Sequence, residues 1–72
     1  MEEKILIWIK KQIDLKKASG QRPLSVVHLD IWRYFNDNCH EELKTLVMEG
    51  KLHWGHTFND KWFSIYDRNN LL

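Results

Sequence analysis

A single cysteine, Cys39, excludes an internal disulfide in this chain and suits a reducing cytoplasm. No apolar run approaches the roughly 20 residues needed to span a bilayer, so no membrane segment is expected. The N-terminus lacks a basic region followed by an apolar stretch and a cleavage site, so no signal peptide is expected. Charge of one sign is also missing: 11 Lys and Arg stand against 10 Asp and Glu, +1 with His neutral. Nucleic-acid binding by such a chain requires its cations to be gathered on one face, because counterion release needs clustered Lys and Arg. A Gly-rich phosphate loop, a nucleophile elbow and H-E-x-x-H are all lacking. His28 near Asp30, or Asp60 near His56, would make an acid–base pair, but 72 residues leave little room for a cleft. The expectation is a non-enzyme with no cofactor, no metal and no small-molecule substrate.

What is present is aromatic. Four Trp, three Phe and two Tyr occur in 72 residues. A domain of this size buries only about 60% of its unfolded surface, and aromatics at roughly 150–250 Å² each offset the small core. The chain has room for one domain, residues 1–72, without low-complexity tract or internal repeat.

Glu2 to Ala18 reads as a first helix, with acidic residues opening it and lysines crowding its end, as the helix dipole favours. Ile5, Leu6, Trp8, Ile9 and Ile13 share one arc at 100° per residue. Lys4, Lys10, Lys11, Asp14 and Lys17 take the opposite arc, with Ile7 among them as a lone exposed aliphatic. Gly20 reads as a left-handed terminator. Gln21 to Ser25 holds the only proline, Pro23, and suits a connection or a very short edge strand. Ser25 reads as the N-cap of a second helix over Val26–Asn36, with Val27, Ile31 and Phe35 on its inner side.

Asn36-Asp37-Asn38 signals a turn. Asn38 with Glu41 has capping-box spacing for a third helix of about Cys39 to Glu49. Cys39, Leu43, Leu46 and Val47 line its buried arc. Glu41, Lys44, Thr45 and Met48 point outward, and Gly50 stops it. Two strand-like runs follow, Leu52–Phe58 and Lys61–Tyr66, around a turn at Asn59-Asp60. Leu52, Trp54 and His56 share a face of the first; Trp62, Ser64 and Tyr66 oppose Phe63 and Ile65 in the second. Residues 67–72 read as a frayed tail.

Three helices, a polar turn between the second and third, then Gly50-Lys51-Leu52 and an aromatic hairpin resemble the winged helix-turn-helix superfamily over nearly the whole chain. The resemblance implies an α+β fold of three helices and a two-stranded hairpin wing, with a short extra strand near Pro23–Ser25 as a further option. It also implies a cytoplasmic DNA-binding, transcription-regulating protein whose third helix enters the major groove of double-stranded DNA while the wing touches the backbone or minor groove. Carried over by position, His40, Glu41, Lys44, Thr45 and Met48 would face the groove; Lys51, His53, Lys61 and Arg68 would reach phosphates. The chain departs from that pattern in its third helix. From Cys39 to Lys51, Glu41, Glu42 and Glu49 stand against Lys44 and Lys51, and arginine, the commonest base reader, is absent.

The rival expectation on the same fold is a protein-interaction module, an adaptor or inhibitor, using Ile7, Met48, an aromatic face of the hairpin and the acidic third helix. A homodimer through the first helix or the wing suits both readings. A zinc site from Cys39, His40, His53 and His56 is disfavoured: adjacent Cys-His is an awkward bite, and His53 and His56 face opposite sides of a strand.

Overall fold

The spacing of isoleucines builds the first element. In the computed structural model, which describes residues 1–21 and 24–65, α1 runs Glu2–Ser19 and buries Ile5, Ile9 and Ile13 at i, i+4 and i+8. Leu6 and Trp8 pack beside them, Ile7 stays exposed, and the four outward lysines are exposed with Asp14. Gly20 ends the helix at φ 71°, and its N–H and that of Gln21 return to the carbonyls of Lys17 and Lys16.

The second helix does not begin where Ser25 would cap it. Val26 and Val27 form a two-residue strand, β1, and α2 runs only His28–Phe35. β-Branched side chains are stiff and suit a pleated surface better than a helical turn. Val26 sits opposite Phe63 and is buried there to 3% exposure, a gain that a helical start does not offer. The extra strand is therefore real but lies at Val26–Val27, just after Ser25. The segment before it is tied down at both sides: the Lys16 ammonium donates to the Ser25 carbonyl, and the Ser64 hydroxyl to that of Leu24 at 2.7 Å.

α3 spans His40–Met48. The Asn38–Glu41 capping box does not form, because the chain turns through two left-handed residues, Asn36 at φ 55° and Cys39 at φ 54°. Cys39 thereby enters the core at 1% exposure, and Asn38 Oδ1 accepts the His40 N–H at 3.0 Å in a local turn. At the other end Gly50, φ 74°, closes a Schellman motif: its N–H returns to Val47 and that of Lys51 to Leu46.

β2, Leu52–His56, and β3, Lys61–Ile65, form the hairpin. β2 is shorter than its sequence run suggests. Thr57 leaves the ladder because its N–H and hydroxyl both donate to the Asp60 carbonyl, so the loop is Thr57–Asp60 and Phe58 lies in it, 99% exposed. The sheet is antiparallel in the order β1-β3-β2. Val26, Leu52 and Phe63 join Ile31, Cys39, Leu43, Leu46 and the α1 isoleucines in one core. On the other face Trp62 lies over Gly55, directly opposite it in the register. The architecture is thus a small α+β fold of three helices and a three-stranded antiparallel sheet. Pro23, Tyr66, Arg68 and the tail at 67–72 fall outside the described residues.

Candidate functional site

Helical periodicity puts Lys44 and Met48 one turn apart on the outer side of α3, with His40 a turn earlier. Strand alternation puts Trp54 and Phe63, paired across the hairpin, on the side facing that helix. The space between them is a groove of about 180 Å³. Leu43, Val47 and Phe63 form its apolar floor, and Met48 and Trp54 its walls. Met48 is 77% exposed and Trp54 46%, so the walls stand open.

Two lysines and two histidines stand at the rim. Lys44 comes from α3, Lys61 from β3, His40 from the first position of α3 and His28 from the first position of α2. Among the described residues no carboxylate lines the groove. Lys61 Nζ lies 5.8 Å from the Trp54 ring centroid, within cation–π range. His56 meets the same indole edge-on with centroids 5.0 Å apart. His28 is held by a contact of 2.6 Å between its Nε2 and the Asn38 carbonyl, and its ring meets Phe63 edge-on.

Two acidic residues of the flanking segments have other partners. Asp60 uses one carboxylate oxygen to accept the Leu29 N–H at the start of α2 and the other to accept the Lys61 N–H. The positive end of α2 is thereby answered from within the fold. Glu49 pairs with Lys51 at 3.4 Å, both partly exposed, an interaction of little energetic weight. Cys39 is part of the buried core; burial pushes its thiol pKa up from 9.0, and the charges of Asp37 and Glu42 push the same way.

Of the sequence-derived contact residues, the fold gathers His40, Lys44, Met48 and Lys61 at the groove. Glu41 is exposed on α3 but does not line it. Thr45 is half-buried and donates its hydroxyl back to the Glu41 carbonyl at 3.0 Å. His53 pairs opposite Ser64, so it lies on the sheet face away from Trp54, and Lys51 is turned to Glu49. Arg68 is outside the described residues. Trp54 and His28 also line the groove, beyond the residues that the resemblance singles out. Alternation in Leu52-x-Trp54-x-His56 gives the side on which Trp54 lies; for His28 the sequence holds no signal, because β1 brings it there.

Among the described residues no group of three or more His, Cys, Asp or Glu is placed to hold a metal ion, and no helix is long and apolar enough to cross a membrane. No family model, curated protein or solved structure matches the chain.

Proposed function

We propose that the chain is a small, non-enzymatic, cytoplasmic winged-helix protein that binds nucleic acid and regulates transcription through α3 and the hairpin. The observation that carries this reading is the convergence of Lys44 and Lys61, with His28 and His40, on one groove that no carboxylate lines among the described residues. A chain of net charge +1 has no general attraction for phosphate, so local segregation is the condition that binding requires. The decisive experiment is titration of a labelled duplex from low to moderate salt. Binding that weakens linearly in a plot of log affinity against log salt supports the reading. Absence of binding to both the duplex and its separated strands at about 20 mM salt, where backbone contacts are least screened, removes it.

A second reading is favoured by the openness of Met48 and Trp54. It makes the chain an adaptor or inhibitor that docks protein, or a second copy of itself, on the same surface. Sedimentation of the purified chain at rising concentration tests self-association. A dimer dispersed by Met48→Asp, in a chain that ignores duplex, supports this reading over the first.

A further inference from the structure

The groove differs from a surface built to lie along a regular duplex. Its rim is cationic, but its floor and walls are apolar, and an indole forms one wall. A base-paired helix offers such a surface phosphates and base edges, not an exposed ring face. A single strand offers both a phosphate chain and free aromatic planes, and grooves that hold it combine lysines with a stacking aromatic. At about 180 Å³ the space is also below the ~300–1,000 Å³ usual for a whole small ligand, which suits one planar ring system.

We infer that the groove between α3 and the hairpin takes one unstacked nucleobase against Trp54, with Lys44 and Lys61 on the flanking phosphates, so that the chain prefers single-stranded over duplex nucleic acid. The inference rests on the nucleic-acid reading above and narrows it. It also accounts for two features that duplex reading leaves idle. α3 carries Glu41 and Glu42 in its first turn and no arginine, a composition unsuited to reading base edges but indifferent to stacking. Trp54 keeps 46% exposure beside a lysine, so an incoming base completes a partly built stack in which Lys61 lies over the same indole.

Fluorescence anisotropy of the full chain with labelled 12-nucleotide single strands, DNA and RNA, and with the matching duplex tests this. Single strand is expected to bind at least about tenfold tighter than duplex. Trp54→Ala should weaken single-strand binding by about 5- to 150-fold, and Trp54→Phe should restore most of it. An abasic strand keeps the phosphates and removes the bases; a loss of about 5- to 150-fold with the unaltered chain supports stacking even if Trp54→Ala folds poorly. Duplex bound more tightly than single strand, with Trp54→Ala and the abasic strand without effect, overturns the inference and leaves the proposed DNA binding standing. If neither strand nor duplex binds at low salt, the proposed function fails with it. Binding of a Trp-bearing, Asp- and Glu-rich probe peptide in that case assigns the groove to protein.

Discussion

The carboxylate of Asp60, in the hairpin loop, accepts the N–H of Leu29 at 3.0 Å across 31 residues of chain, and so caps α2 from outside. Val27, the residue at the cap position, has an extended backbone and no hydroxyl or carboxyl to offer. The same aspartate closes its own loop: its N–H donates to Thr57 Oγ1 at 2.8 Å and its carbonyl accepts the Thr57 N–H at 2.7 Å. One residue thus fixes both the hairpin turn and the start of α2, two elements that flank the groove.

Asp60→Ala removes the cap and the bond to the Lys61 N–H together, and should cost about 1–2 kcal/mol. For a domain of this size that lowers Tm by roughly 4–8 °C per kcal/mol, read by circular dichroism. Asp60→Asn, which can still accept from Leu29, should lose less than half as much. Equal losses in the two variants would show that the bond to α2 carries no stability.

Gly50 and Gly55 are required for different reasons, and substitution separates them. At Gly50 an added Cβ meets nothing within 4 Å, so Gly50→Ala costs only left-handed strain, about 1–2 kcal/mol, and Gly50→Asn less. At Gly55 the Cβ would come close to the Trp62 indole, which must be displaced, at about 1–3 kcal/mol. In a Trp62→Ala background that added cost should vanish, while the cost at Gly50 persists. A double-mutant cycle in urea measures both, and additivity of Gly55→Ala with Trp62→Ala would refute the packing account.

Cys39 should react with thiol reagents at neutral pH only as fast as the chain opens, being 1% exposed with its pKa raised. The sign of the pH effect follows from the same shift. The fold holds the protonated thiol and the unfolded chain releases it more readily, so stability from this group is full below pH 9.0 and falls above it. Cys39→Ala should lower stability at pH 7 through poorer packing, yet flatten the decline above pH 9.0. A decline of unchanged slope in the variant would assign it to other groups.

Lys44→Ala with Lys61→Ala should weaken oligonucleotide binding and reduce the salt slope by roughly 0.7–0.9 for each phosphate no longer neutralised. Lys10→Ala with Lys17→Ala, on the outer face of α1, serves as the control and should leave the slope unchanged. Equal effects of the two pairs would mean that binding follows net charge and not the groove.

The α1 helix is legible in full, because five apolar positions at helical spacing admit few other arrangements, and Gly20 and Gly50 announce the left-handed turns that end α1 and α3. The outward placing of Glu41, Lys44 and Met48 follows from the same periodicity, whereas Thr45, read as outward too, is half-buried. The hairpin is legible in its faces but not its ends, since Thr57 reads as strand until Asp60 takes its hydrogen bonds. Ser25 and Asn38 mislead for a shared reason. Local cap chemistry is a weak preference, worth about 1 kcal/mol, and burial of Val26 or Cys39 outweighs it.

What the amino-acid order determined by itself is therefore everything set by neighbours within a turn or a strand: the helical faces, the glycine stops, the two-sided hairpin. Tertiary structure alone decided that Val26 and Val27 join β3, that Asp60 caps α2, and that Lys61 and Trp54 meet Lys44 across one groove. Those outcomes depend on the free energy of packing and hydrogen bonding between residues distant in the chain, on which no local spacing bears.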